Sequence, residues 1–317
     1  MSELISPEQI IERVPEWRDK SVSYEMLHGG LANRSYAVRV GDTNSDGVQR
    51  YVIKALTQAM GDFNLMIPLA DVCRNTVAAG KSGVGAKVIH SFPDMPALVL
   101  EWIEGITLQT PDLARVDYIP RLGRSVAQLH QKSPAFDNQI HIWKFLDDYL
   151  ELVDKHTLPT PDGIMDHLGI IRDIQGVLAK QALQEVPSHN DLLALNVMDD
   201  GDIRLIDYDF SGMNDPAFDL GDLAMEGDYD PDQVAVLCES YFGRHDAVQT
   251  ARARLFGIAA QYTWSLLFVG MHYLLPEAPA EGFDYWAEAD SRWRWTRAKL
   301  DSDDMSLVLK EAAGVDL

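Results

Sequence analysis

Asp191 and Asn196 stand five positions apart in SHNDLLALN, and the apolar run of DIRLIDYD ends soon after in Asp207 and Asp209. Phosphoryl transfer to a hydroxyl needs such a set. One carboxylate must lie against the hydroxyl, orient it and take its proton. Further oxygens must hold the magnesium that bridges the phosphates, and magnesium takes one or two protein carboxylates, keeping the rest of its shell for water and phosphate. Asp191 is placed to be the base. Asn196 can turn its amide oxygen back to the same space, and Asp207 is delivered by whatever strand the run IRLI forms. Asn and Asp are also ordinary turn formers. The combination of both motifs with the elements upstream favours the chemical reading.

Those elements begin with Ser6-Pro7-Glu8, a helix start. VSYEML and RSYAVRV alternate on either side of the glycine turn at 28–33, which predicts a hairpin containing Gly29, Gly30 and Asn33. A second turn, GDTNSDG, leads to QRYVIKAL, a strand carrying Lys54. A helix is expected over roughly 65–80, then strands in VGAKVIHSF and ALVLEWIEG. Beyond Gly105 helical periodicity dominates at 117–131, 143–154, 163–184, 231–243, 247–275 and 283–312, interrupted by a strand-like segment near 195–207. The fold class expected is α+β, with residues 1–103 a small antiparallel-sheet lobe and 104–317 a larger, mainly helical one. The segment ending Gly80-Lys81-Ser82 imitates a phosphate-binding loop. It lacks the first glycine of GxxxxGK[ST] and follows a helix rather than a strand. Gly80 is read instead as a helix C-terminal residue with positive φ.

The chain has 317 residues, a formal net charge of -22 and two cysteines. So acidic a surface repels nucleic-acid phosphates and anionic lipid, which are set aside as partners. Cys73 and Cys238 form no metal-binding pattern and predict no disulfide, and the N-terminal residues lack the pattern of a signal peptide. The apolar window LFGIAAQYTWSLLFVGMHYLL is interrupted by Gln261, Thr263, Ser265 and His272, so a buried helix is expected, with no membrane insertion and a cytoplasmic location.

The residues HNDLLALN and IDYD, with GGLANRSY and YVIK before them, resemble the choline/ethanolamine kinase branch of the aminoglycoside phosphotransferase superfamily, along nearly the whole chain. The resemblance implies a protein-kinase-like bilobal fold, ATP and Mg2+ as cofactors, and a small cationic alcohol as substrate. It implies Asp191 as catalytic base, Asn196 and Asp207 as metal ligands, and His189 as a scaffold of the loop. Asp219, in DPAFDLGD, matches a structural aspartate that braces the catalytic loop. Lys54 matches the lysine that pairs with the α- and β-phosphates, and Gly29, Gly30 and Asn33 match the cover over them. The backbone groups of Glu101 and Ile103 match the adenine-binding linker. Two positions depart from the pattern: Asp209 replaces a glutamate, leaving its role as a second metal contact open, and Val72, with Asp71 beside it, stands where a helix glutamate pairs with the strand lysine.

For the acceptor, the resemblance points to Trp264, the first of a W-x-x-W pair whose second member is here Leu267, and to Tyr285, with Tyr229 and Asp209 as further candidates. A half-complete aromatic box suits choline, ethanolamine or a smaller relative through cation–π attraction. Two alternatives stay open: a kinase of another small alcohol, thiamine-like or an aminoglycoside, and a non-catalytic nucleotide-binding pseudokinase. Oligomeric state is open, with a dimer among the possibilities.

Overall fold

The computed structural model describes residues 5–27, 33–41, 47–56, 67–92, 94–275 and 283–314. Gly29 and Gly30 lie outside the described residues, as does most of the GDTNSDG turn.

The first helix, α1 (Pro7–Ile11), starts with a capping box in which the Ser6 side chain and Gln9 satisfy each other's backbone donors. The expected hairpin is present as β1 (Val22–Leu27) and β2 (Arg34–Val40). With β3 (Gln49–Ala55), β4 (Val88–Phe92) and β5 (Ala97–Glu101) they form an antiparallel sheet in the order β1-β2-β3-β5-β4. Successive strand residues point to opposite faces. Ile53 and Ala55 pack with Ile10, Val14 and Trp17 on one face. Lys54 therefore points the other way, on the face it shares with its cross-strand partners Ser35 and Leu98. Val72 and Cys73, from α2 (Leu69–Lys81), pack in the same cluster as Leu98.

One sequence expectation is corrected here. Gly80 lies within α2 and not at a left-handed terminus; the positive φ, 81°, belongs to Gly83. Gly80 is needed for a close approach, since a Cβ there would sit 2.7 Å from the Ala86 carbonyl oxygen.

The helical lobe contains α3 (Thr110–Leu113), α4 (Ile119–Lys132), α5 (Ile142–His156), α6 (Leu168–Leu178), α7 (Pro216–Glu226), α8 (Pro231–Phe242), α9 (Ala247–Leu274), α10 (Tyr285–Leu300) and α11 (Met305–Ala312). The stretch read as one helix over 283–312 is two, broken at Asp301–Asp304. The short strand β6 (Ile106–Thr107) pairs with β8 (Val197–Asp199), which pairs with β9 (Ile203–Leu205); β7 (Val186–Ser188) pairs with β10 (Gly212–Asn214). These short ladders pin both ends of the segment containing Asp191, Asn196 and Asp207. α7 is buried almost all round and presses on α9 backbone to backbone at a glycine pair: a Cβ on Gly257 would lie 2.8 Å from the Gly221 carbonyl oxygen. Among the described residues no helix is long and apolar enough to cross a membrane. In α9, Thr263 and Ser265 donate to the carbonyls of Ala259 and Gln261. Cys73 and Cys238 are buried and unpaired.

Candidate active site

The start of the loop from Ser188 to Asn196 is held from below by a carboxylate of α7. Asp219, wholly buried on α7, accepts the backbone N–H groups of His189 and Asn190, each at 2.8 Å, and His130 Nε2 of α4 at 2.9 Å. Burial opposes its charge, but the hydrogen bond and field of His130, aided by His189, hold its pKa below the ordinary carboxylate range. His189 is also fully buried. Its Nε2 donates to the Ile206 carbonyl at 2.8 Å, tying the loop to the residue before Asp207. Burial lowers its pKa, as suits a neutral ring.

Asn190 and Asp207 have φ of 64° and 67°, a conformation uncommon outside glycine that Asn and Asp tolerate best. The Asn190 side chain stabilises the bend, donating to the Phe210 carbonyl at 3.0 Å and accepting from Asn214 at 2.8 Å. Asp191 is thereby turned into the cleft, half-buried. Asn196 donates its amide hydrogens to the Asp191 carbonyl oxygen at 2.8 Å and to the Asp191 carboxylate at 3.0 Å. The Asn196 amide oxygen is thus the part of that side chain left to meet a metal. Burial, and after it the charges of Asp222, Asp207, Glu226 and Asp209, raise the Asp191 pKa well above the ordinary range.

The ammonium of Lys54 donates to Asp207 at 2.5 Å and to Asp209 at 2.6 Å. Burial disfavours its charge, but the two carboxylates outweigh burial and raise its pKa. Asp209 also accepts from Asn33 of the hairpin. The partner sought on α2 is therefore not there. Asp71 pairs with Arg74, which also pairs with Asp137, and Val72 is core. α2 reaches the site by another route: buried Asn75 donates to the backbone and hydroxyl oxygens of Ser211, both at 3.1 Å, and to Asn138 at 2.7 Å.

At the linker between sheet and helical lobe, the Glu101 N–H is spent on the Lys87 carbonyl. The Glu101 side chain accepts from Lys87 N–H at 2.8 Å and from Arg204 Nη2 at 2.6 Å. Arg204, on β9, also bonds the carbonyls of Val84 and Gly85 and the carboxylate of Asp200, so one guanidinium fixes the linker to the second lobe.

Beside Asp191 the structure places two acids that no motif announced, Asp222 and Glu226. Asp222, one helical turn beyond Asp219, accepts the Leu192 N–H at 2.6 Å and is pushed up to about 7 by burial and then by Glu226. Glu226 pairs with Arg292 of α10 at 3.3 Å. Trp264 of α9 packs against Phe145 and Phe210, with ring centroids 6.0 and 6.1 Å away. Tyr285 is buried between Phe268 and Phe283, its hydroxyl without a hydrogen-bond partner among the described residues. Tyr229 lies apart from both aromatics, in a second core cluster, and its hydroxyl donates to the Leu113 carbonyl at 2.6 Å. A signal for Asp222 and Glu226 did exist, since they follow Asp219 on one face of DLGDLAME at helical spacing.

The two lobes, with a lysine on the third strand facing two aspartates across the cleft, define the protein-kinase-like fold. Solved structures agree. A choline/ethanolamine kinase family protein from Mesorhizobium loti has a TM-score of 0.79 at 24% identity, over 96% of this chain and 97% of that one. The choline kinase LicA from Streptococcus pneumoniae has a TM-score of 0.69 at 19% identity, over 92% and 98%. The sequence model for choline/ethanolamine kinase matches residues 24–240, and the chain belongs to that family. Ethanolamine kinase 1 of Mus musculus is 22% identical over 224 residues, covering 65% of this chain and 59% of that protein. The match thus spans less than two thirds of that relative's length.

Proposed function

We propose that this protein is an ATP- and Mg2+-dependent kinase that phosphorylates the hydroxyl of a small cationic amino alcohol, choline or ethanolamine being the leading acceptors. In this reading residues 1–103 cover the nucleotide, and 104–317 carry the catalytic loop, the metal ligands and the acceptor pocket. The observation that carries it is the meeting of Asp191, Asn196, Asp207 and Lys54 across one cleft, with Asn196 bonded to Asp191 and Lys54 to Asp207.

The donor set fits magnesium: the Asp207 carboxylate is 35% exposed, and the Asn196 amide oxygen lies at the other end of the amide that holds Asp191. When bound there, the ion would neutralise charge on the transferring phosphoryl group. Lys54 meets the α- and β-phosphates, and the Glu101 carbonyl with the Ile103 N–H takes the adenine edge. Asp191 accepts the proton as the acceptor oxygen bonds to the γ-phosphorus, the bridging P–O bond breaks, and ADP leaves. A raised pKa suits a group that must receive that proton. Asp191, Asp222 and Glu226 favour a cationic acceptor, with Trp264 and Tyr285 as apolar wall. Two departures favoured a non-catalytic reading, a lysine without a clear partner and Asp209 in place of glutamate; the ion pair between Lys54 and Asp209 answers the first and gives the second a role.

The test is ADP release from Mg-ATP with choline, ethanolamine, methylated ethanolamines, thiamine and an aminoglycoside. Saturable turnover with an amino alcohol is expected. Turnover confined to thiamine or the aminoglycoside, or none at all, overturns the proposal.

A further inference from the structure

An alkylammonium group is held by an aromatic face with carboxylates beside it. Such a niche exists on the inner side of α10, and the protein fills it with a cation of its own. Arg292 Nε donates to Glu288 at 2.6 Å, and its Nη1 donates to Gln261 at 3.0 Å and to Glu226 at 3.3 Å. Its guanidinium carbon stands 5.3 Å from the centre of the Phe268 ring. The Arg292 and Glu226 side chains are each 14% exposed, so the pairing is largely withdrawn from water. The other candidate face, Trp264, is flanked by Phe145 and Phe210.

The niche adjoins the proposed acceptor site. Glu226 lies one helical turn from Asp222, which holds the loop at Leu192, and the charges of both reach Asp191. A quaternary ammonium has no N–H and depends on aromatic enclosure. A primary ammonium has three donors and needs oxygen acceptors. With Phe268 covered, the aromatic wall of the site is reduced to Trp264 and Tyr285, while four acids, Asp191, Asp222, Glu226 and Glu288, stand beside one guanidinium.

We infer that Arg292 sets the choice of acceptor: by occupying the niche of Phe268, Glu226 and Glu288 it denies that niche to a quaternary ammonium and leaves carboxylate oxygens suited to an alcohol bearing a primary ammonium. This assignment rests on the reading of the site as an amino-alcohol kinase. The experiment compares kcat/KM for ethanolamine and choline, with Mg-ATP, in the full chain and in Arg292→Met. The wild type should prefer ethanolamine by about tenfold or more, and the variant should narrow that ratio by about tenfold, the strength of one modest cation–π interaction. Because the substitution leaves two acids unpaired, a second measurement uses the wild type alone: methylammonium should compete with ethanolamine and tetramethylammonium should not. Equal use of choline by the wild type, equal inhibition by the two ions, or an unchanged ratio in a folded variant each overturns the assignment while leaving the kinase reading intact. Absence of turnover with every alcohol overturns the kinase reading, and the assignment with it.

Discussion

Asp222 offers a test in which size and sign both follow from its surroundings. It is 3% exposed, and burial, then Glu226, push its carboxyl up to about 7, against the Leu192 N–H and Arg292, which act the other way. In the unfolded chain an aspartate titrates near roughly 3.9. Between those values the folded protein binds more protons than the unfolded chain, so the contribution of Asp222 to stability falls as pH rises from about 4 to about 7. A difference of roughly three units at about 1.36 kcal/mol each makes the full loss about 4 kcal/mol, complete near pH 8, with roughly a third of it already lost at pH 5. Asn has the same shape, and its Oδ1 can accept the Leu192 N–H, but it carries no charge at any of these pH values. Asp222→Asn should therefore gain roughly 2–3 kcal/mol relative to the wild type on going from pH 5 to pH 8. Urea unfolding of both proteins at intervals across that range measures the gain; titrating groups remote from Asp222 cancel in the difference, and the altered fields at Asp191 and Glu226 are part of what is measured. Stabilities that run parallel from pH 5 to pH 8 would refute the reasoning.

Three further outcomes are expected. Asp191→Ala should lower transfer by roughly 10²–10⁴-fold, the range of a positioned base, with nucleotide affinity kept within a few-fold; unchanged turnover would remove Asp191 from the mechanism. Asp209→Asn leaves Lys54 a single ionic partner and should raise the KM for ATP by about tenfold, whereas Asp71→Asn, which disturbs only a surface pair with Arg74, should not; the reverse order would return the lysine anchor to α2. Arg204→Met leaves the Glu101 side chain held by the Lys87 N–H alone and should raise the KM for ATP by about fivefold with kcat held, the pattern of lost uniform binding; a fall in kcat with KM unchanged would contradict it.

How much of this was legible in the sequence depends on where each signal came from. Strands β1 to β5 alternate or carry β-branched runs between turn residues, so they were readable, and Lys54 was placed on β3 from YVIK alone. The loop residues Asp191, Asn196 and Asp207 were found because their spacing is local. Helix α7 escaped because it is buried nearly all round and so shows no apolar stripe; its Asp215-Pro216 start was the available clue, an N-cap whose side chain accepts the Ala217 N–H. With α7 unread, the roles of Asp222 and Glu226 stayed hidden. His130 was beyond reach for a different reason: its bond to Asp219 joins α4 to α7, and no local pattern encodes contacts of that range. Tyr229 shows the converse, an aromatic residue in a suggestive place whose hydroxyl is committed to Leu113.

The lysine partner shows why a motif can be intact while one of its parts has moved. In Asp207-Tyr208-Asp209 the two carboxylates both reach Lys54, while the Tyr208 ring between them lies against His189 at 4.8 Å. A single short segment thus supplies both the proposed metal ligand and the lysine anchor. α2 is then free of the lysine and spends Asn75 on Ser211, two residues past Asp209. The helix still governs the position of Lys54, but through the segment carrying Asp209 rather than by a direct pair. In the proposed mechanism Asp207 would share its charge between Lys54 and a metal, whereas the contacts of Asp209, at 16% exposure, with Lys54 and Asn33 would persist. The shorter side chain of Asp209, one methylene less than glutamate, then reads as a fit to the lysine rather than a loss to the metal.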